Sequence, residues 1–337
     1  MAASTPVKKL HIKLLYHFTR RDFEMPIAEF EIISRYFKQE IKRSDVILGI
    51  GDDAALCAIP PNRELVIAID TLVAGVHFPV KTAPEDIGYK ALAVNLSDMA
   101  AMGATPAWMT LALTCPKNDE TWLTKFSQGL FELAEIAQVS LIGGDTTRGP
   151  LSITIQITGF VPPHSALQRN GAVPGDGIYV TGTLGDAGLG LASVKKQVTL
   201  PREIQTFVES RLNRPTPRLS EGQALRGIAS SAIDISDGLV ADLGHILSAS
   251  GVGATIELER LPLSSALRES LPLEQAWYLA LSAGDDYELC FTMPRENRLS
   301  ADSFVRIGTI EKNPGLRCLK VDGCLFMPQK MGYQHFA

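Results

Sequence analysis

The sequence predicts an α/β protein of two domains. Strand-like and helix-like patterns interleave in both halves, and 337 residues exceed what one small core organises. A segment with proline and glycine near its ends, residues 162–176, marks the boundary. The expected organisation is a tail over residues 1–24, an N-terminal domain over 25–161 that carries most of the candidate metal-binding aspartates, and a C-terminal domain over 162–337 that completes the site.

Residues 65–69 form a short apolar, β-branched run ending at Asp70, the pattern of a buried strand with an acid at its C-terminal end. A helix is expected from Thr82: Thr82-Ala83-Pro84-Glu85 fits a capping box, Pro84 suits a first turn, and Gly103 can stop the helix. A second helix is expected over 121–137. Strands follow over 139–142, leading into Gly143-Gly144-Asp145, and over 152–160. Past the boundary, 177–181 reads as a strand entering the turn Gly182-Thr183-Leu184-Gly185, and 231–235 as another. Residues 237–250 read as a helix with Gly251 beyond it. A strand over 286–293 and short strands in the last 35 residues complete the pattern.

Composition narrows the class. With 45% hydrophobic and 20% charged residues the chain is an ordinary globular protein. A net charge of −5 argues against a surface built wholly for nucleic acid. No apolar run approaches the roughly 18 to 20 residues that span a bilayer. The first 24 residues are basic, with Lys8, Lys9, Lys13, Arg20 and Arg21 against Asp22 and Glu24, and lack the apolar core of a secretory signal. They read as a flexible tail or an over-long gene start, with Met25 as the initiator. Five cysteines in no metal-finger spacing fit reduced thiols in the cytoplasm.

The chemistry-bearing residues are acids: Asp52 and Asp53 after Gly51, then Asp70, Asp98, Asp145 after Gly144, Asp234 and Asp237. Asp beside Gly is common in turns, and Asp237 can serve the start of a helix. Asp98 is harder to explain as structure. Ala91, Asn95, Asp98 and Met102 share a face of a helix rich in small and apolar residues, where an unpartnered carboxylate costs several kcal/mol. Aspartates without nearby His or Cys partners suit a hard cation, and Mg²⁺ commonly joins a few carboxylates to substrate phosphates. Zinc is disfavoured, and a two-carboxylate glycosidase needs fewer acids. No Gly-Lys dipeptide occurs, which excludes a P-loop, and the protein-kinase motifs are absent. The stretch GTLGDAGLG at 182–190 can present backbone N–H groups to phosphate, or simply be a tight strand-to-helix turn.

Eight motifs in order, GIGDDAAL (49–56), DTLVAGVHF (70–78), KALAVNLSDMAAMGATP (90–106), LIGGDTTRG (141–149), VTGTLGDAGLGLA (180–192), AIDISDGL (232–239), GDDYELCF (284–291) and GYQHF (332–336), resemble the thiamine-monophosphate kinase family. The resemblance runs from about Glu29 to Phe336. It implies the two-domain α/β fold of aminoimidazole ribonucleotide synthetase-like proteins, with mixed sheets packed against helices, and a homodimer. It also implies transfer of the γ-phosphoryl of ATP to thiamine monophosphate. By resemblance Asp53, Asp70, Asp98, Asp145, Asp234 and Asp237 are magnesium ligands; Gly144, Asp145, Arg169 and Ser236 contact ATP; and His77, Asp285 and Tyr333 contact the thiamine substrate. Two places depart from the family pattern. Ala68-Ile69 stand where Ser-Thr is frequent, so Ile69 offers only a backbone carbonyl to a metal. Asp285 stands where Glu is frequent.

Both reactants are anionic, so charge neutralisation by bridging Mg²⁺ ions and in-line alignment are the expected catalysis. A phosphate monoester with a second pKa of about 6 needs no strong general base. No catalytic protein nucleophile and no phosphoenzyme are therefore expected. Tyr333, by the GYQHF match, is a candidate to stack on a cationic ring, as are Trp108 and Trp277, for which core packing is the favoured reading. The alternatives are a selenophosphate synthetase, disfavoured because no Cys precedes Cys57, an aminoimidazole ribonucleotide synthetase, and a non-catalytic ATP-binding protein.

Overall fold

The computed structural model describes residues 29–297, 304–328 and 330–335. The expected tail, Met25 and Phe336 lie outside the described residues.

The N-terminal half opens with α1 (Glu29–Ile32), which continues as a π-helical turn over Ile33–Phe37. A small ribbon of β1 (Val46–Leu48) and β2 (Leu56–Cys57) follows. A four-stranded sheet of order β3-β6-β4-β5 comprises β3 (Glu64–Val73), β4 (Thr105–Cys115), β5 (Ser140–Arg148) and β6 (Ser152–Val161). Its helices are α2 (Pro84–Ala101) and α3 (Glu120–Ile136). They cover one face, burying Val66, Leu72, Met109, Leu111, Ile155 and Ile157 under Leu92, Leu96 and Phe126. The helices approach closely because Gly129 faces the α2 backbone: a Cβ there would lie 1.8 Å from the carbonyl oxygen of Glu85.

Edge strand β3 departs from expectation. It continues past Asp70 to Val73, and it is not buried on both faces. Leu65, Ile67 and Ile69 point away from the helices and are 43%, 62% and 64% exposed, because β3 pairs only with β6 and no helix covers that side. β5 likewise runs through Gly143-Gly144-Asp145 instead of turning there, held by parallel pairing with β4.

The capping box is replaced by a different start. Ala83 is the N-cap of α2, without a side-chain cap bond, and Pro84 takes the first helical position. Glu85 instead pairs with Lys125 of α3. Gly103 does end the helix, with a left-handed φ of 65° and the Ala104 N–H donating to the Met99 carbonyl. Asp119 caps α3 by accepting from the Trp122 N–H.

After the irregular segment 162–176 comes β7 (Gly177–Thr181), then α4 (Asp186–Val194), α5 (Arg202–Asn213) and α6 (Leu219–Ala224). β8 (Ser231–Asp234), α7 (Leu239–Ser250) and β9 (Gly253–Glu257) follow, with α8 (Ser265–Ser270) and α9 (Leu273–Ser282) beyond. The chain closes with β10 (Leu289–Met293), β11 (Phe304–Glu311) and β12 (Gly315–Leu319). These strands form a mixed sheet of order β12-β9-β11-β7-β10-β8, with β12 parallel to β9 and the other pairs antiparallel.

Two boundaries shift here. α7 starts at Leu239 and not at Asp237, because the Asp242 carboxylate gathers the N–H groups of Ser236, Asp237 and Gly238 into the preceding turn. β10 starts at Leu289 and not at Asp286, because Asp285 and Tyr287 adopt left-handed φ values of 62° and 50°.

The halves meet on α2. Ala100 and Ala101 pack with Leu225, Ala232, Leu289 and Phe291. Arg214 of α5 donates to Asp86 of α2 and Glu132 of α3. Among the described residues no helix is long and apolar enough to cross a membrane.

Candidate active site

An acidic cluster forms where β3, α2 and β8 converge. The helix-side parity of β3 aims Asp70 at α2, where its carboxylate shares a hydrogen bond with Asp98. Asp234 ends β8 and is buried; its Oδ2 accepts from Ser97 Oγ at 2.7 Å. Burial pushes Asp98 up to about 8, with further push from Asp234 and Asp70 and a counter-pull from Arg169. Burial likewise raises Asp234 to about 6, opposed by the Ser97 bond. Asp70 is raised by burial and eased by the bond from Asp98, so Asp98 is the member that holds a shared proton. A cleft of about 460 Å³ opens over this cluster, lined by Asp98, Asp234, Arg169, Val66 and Met102 among others.

Asp237 and Ser236 lie in the turn after β8. Their carbonyls accept from the N–H of Tyr333 at 3.0 Å and of Asp285 at 2.8 Å. The turn therefore seats both the C-terminal segment and the 284–287 loop. Asp242, absent from the expected site, fixes this turn and is itself pushed up to about 7 by burial and by Asp234 and Asp237.

Towards the Lys90 end of α2, His77 Nδ1 accepts from the Val73 N–H at 2.9 Å, which leaves Nε2 to carry the ring proton. Its ring lies 5.1 Å from that of His335, and His335 lies 5.0 Å from Tyr333. Burial, then His335, lowers the His77 pKa, so the neutral ring is favoured near pH 7. Asp285 is tied to the buried ammonium of Lys90 at 2.8 Å. The structure thus gathers His77, Asp285 and Tyr333 around residues that sequence patterning did not single out: Lys90 and His335.

Asp53, Gly144 and Asp145 are placed elsewhere. They line a separate cavity of about 680 Å³ with Asp52, Phe37 and Thr110, and both acids are exposed. Asp145 pairs with Ala112, which pairs with Thr154, which pairs with Thr71. Three strand spacings, about 14 Å, separate Asp145 from the neighbourhood of Asp70. The side chain of Ile69 points to the open sheet face, away from Asp98. Trp108 is core, edge-on to Phe160 and donating to Asp45, and Trp277 packs against Phe326.

The donor chemistry suits a hard cation. Among the described residues no three His, Cys, Asp or Glu side chains converge closely enough to hold an ion unaided. The Asp70–Asp98–Asp234 set is all oxygen, retains a proton for lack of positive charge, and lies one helical turn from Asn95, whose buried Oδ1 has no hydrogen-bond partner among the described residues. Such a set fits Mg²⁺, which completes its shell with water and phosphate oxygens.

The network behind the site also escaped the sequence. Glu288 is fully buried and accepts from Arg211 at 2.7 Å, Arg218 at 2.6 and 2.7 Å, and Thr181 at 2.6 Å. Asp286 accepts the N–H of Gly185 in the glycine-rich turn.

Fold and site together define an AIR synthase related protein: the N-terminal domain model of that family matches residues 51–161 and the C-terminal domain model residues 173–317. Thiamine-monophosphate kinase of Escherichia coli (strain K12) is 52% identical over 324 residues, covering 93% of this chain and 99% of that protein. The Bacillus subtilis (strain 168) thiamine-monophosphate kinase is 36% identical over 326 residues, covering 91% and 99%. This chain belongs to the thiamine-monophosphate kinase family and is an enzyme. Among solved structures, the Stenotrophomonas maltophilia K279a thiamine-monophosphate kinase superposes with a TM-score of 0.79 at 47% identity, covering 84% of this chain and 92% of that one. The structure of AaThiL complexed with AMPPCP and TMP superposes with a TM-score of 0.75 at 32% identity, covering 85% and 92%. Escherichia coli HypE, at 18% identity and a TM-score of 0.70, shares the fold.

Proposed function

We propose that this enzyme transfers the γ-phosphoryl group of ATP to thiamine monophosphate, forming thiamine diphosphate by direct in-line transfer assisted by Mg²⁺. The observation that carries this reading is the convergence of Asp70, Asp98 and Asp234 beside a cleft lined by Asp98, Asp234 and Arg169, in a chain of this family. Asp70, Asp98 and Asp234, with Asp237 and the carbonyl of Ile69, would hold magnesium on this side, and Asp53 and Asp145 on the other. Bound magnesium would neutralise phosphate charge and align the reacting groups.

The protein's own part is binding and orientation. Arg169, Ser236, Gly144 and Asp145 would bind ATP. Neutral His77, Asp285 and Tyr333 would receive the thiamine moiety, with Tyr333 offering a ring face to its cationic heterocycle. Ser97 fixes Asp234, and Asp242 fixes the turn that carries Ser236 and Asp237. No protein nucleophile is required.

The exposed, apolar outer face of β3 supports a homodimer formed through the N-terminal sheet. Five free thiols fit a reducing cytoplasm.

A coupled assay for thiamine diphosphate, with ATP and Mg²⁺ present or omitted, tests the reaction. Formation of product only with both is expected; no product with both present, or equal product when either is omitted, would overturn the reading. Rapid-quench labelling with γ-labelled ATP should trap no phosphorylated protein, and a labelled chain would remove direct transfer.

A further inference from the structure

Lys90 is the largest fully buried side chain of the molecule's described part and its only charged one of that size, at 1% exposure on α2. A buried ammonium persists only with partners. Here the partners come from both halves. Nζ lies 2.8 Å from Oδ1 of Asp285, in the loop before β10, and donates to the carbonyl of His77, after β3, at 3.3 Å. It also sits 6.0 Å from the ring centroid of Tyr287.

The loop it grips is strained. Gly284, Asp285 and Tyr287 all have left-handed φ values, 73°, 62° and 50°. A left-handed aspartate two residues before a left-handed tyrosine needs surrounding structure to fix it. The backbone is held by the Asp285 N–H to Ser236 and the Tyr287 N–H to Ile235, each at 2.8 Å. Those bonds set the main chain, and the Asp285 carboxylate shares a side-chain hydrogen bond with Tyr287 of the same loop. The ammonium adds the charged anchor from outside the loop, engaging Oδ1 from α2.

We propose that Lys90 is a positioning residue for the thiamine-binding side: its ammonium orients the Asp285 carboxylate and anchors the His77 segment to the same point. This rests on the kinase reading above for the identity of the ligand. It deepens that reading by assigning a residue that positions Asp285 and His77 for recognition of the organic end of the substrate. Lys90 touches neither the acidic cluster nor the cavity of Asp53 and Asp145, so its effect should be confined to one substrate. It also explains how Asp285, a shorter acid than Glu, can hold a defined pose: the lysine comes to it.

The test is a kinetic double-mutant cycle on the full chain. Lys90→Met should raise the KM for thiamine monophosphate by about 10-fold or more and leave the KM for ATP within about twofold. In an Asp285→Asn background the same substitution should change the thiamine monophosphate KM by less than about threefold, because the group it positions is already altered. Equal effects on both substrates, or the same fold-change in both backgrounds, would overturn the proposal and leave Lys90 a general packing residue. If Lys90→Met does not fold, Lys90→Gln, which keeps a donor without the charge, should raise the same KM by about fivefold; a wild-type KM in Lys90→Gln overturns the proposal as well. Hydrogen exchange of the 284–288 amides gives a readout that needs no turnover: faster exchange there with α2 unchanged is expected, and unchanged exchange counts against Lys90. A wild-type enzyme inactive on thiamine monophosphate would defeat the kinase reading, while the exchange measurement would still judge the role of Lys90.

Discussion

Replacing Asp98 with asparagine should make the protein more stable and less active. In the metal-free fold, burial together with Asp234 and Asp70 pushes Asp98 up to about 8 from an ordinary 3.8. Each pK unit corresponds to about 1.4 kcal/mol of preference against the charged form, so the ceiling on the penalty is about 5 to 6 kcal/mol. Sharing of the repulsion among three acids, and solvent entering the cleft, reduce what an experiment recovers to about 1 to 3 kcal/mol. The sign follows from a folded value that lies above the unfolded one. The penalty is absent below about pH 4, grows as pH rises towards 8, and is constant above that. Asparagine carries no charge at any of these values, and its amide can still donate to Asp70 as the protonated carboxyl does.

The assay is urea unfolding of both proteins in EDTA at pH 5, 6.5 and 8, followed by turnover with saturating Mg²⁺. Asp98→Asn should gain stability relative to the parent as pH rises, and should lose magnesium-dependent turnover by about 100-fold or more. The gain should shrink or reverse when Mg²⁺ replaces EDTA, because only the parent gains a strong ligand. A variant less stable than the parent in EDTA at pH 8, or one with full turnover, would refute the reasoning.

Three further outcomes follow from the packing. Gly129→Ala puts a methyl 1.8 Å from the Glu85 carbonyl oxygen, so α2 and α3 must separate; a loss of about 3 kcal/mol or more is expected in denaturant unfolding. Glu288→Gln leaves Arg211 and Arg218 without the buried carboxylate they share, and should lower stability by about 3 to 5 kcal/mol in the same measurement. Ile67→Glu, on the exposed outer face of β3, should leave the fold intact and shift sedimentation towards the monomer; an unchanged sedimentation coefficient would argue against the β3 face as the dimer contact.

Much of the architecture was legible because it depends on local rules. The left-handed stop at Gly103, the strand over Gly177–Thr181 and the glycine end of α7 need only their own residues and neighbours. Asp98 was legible for a related reason: a carboxylate on an otherwise apolar helix face has few inexpensive explanations. What remained hidden depends on partners distant in sequence. Asp242 competes for the cap of α7 only because burial turns it back on the preceding turn. Glu288 is explained by two arginines about 70 residues earlier. Lys90 stands at the head of a recognised motif, yet its role appears only once the loop of Asp285 folds against it. The strand reading of residues 286–288 failed because nothing local to Asp286, Tyr287 and Glu288 signals the left-handed backbone at Asp285 and Tyr287.

α2 joins these hidden contacts to the visible ones. Lys90, Ser97 and Asp98 lie seven and eight residues apart, so at 1.5 Å of rise per residue the Asp285 anchor and the acidic cluster are separated by about 10 to 12 Å along one rigid rod. Ser97 holds Asp234, Asp98 holds Asp70, and Lys90 holds Asp285 and the His77 carbonyl. A ligand whose phosphate rests at the acids therefore meets His77 and Asp285 only if its organic part extends about that far. Because the rod is buried in the core of the N-terminal half and packed against the C-terminal half, this spacing cannot relax without unpacking both. Recognition of the organic end and placement of the phosphate end are thus two readings of one helix, which is why a change at Lys90 should alter affinity for the acceptor while a change at Asp98 should alter the transfer itself.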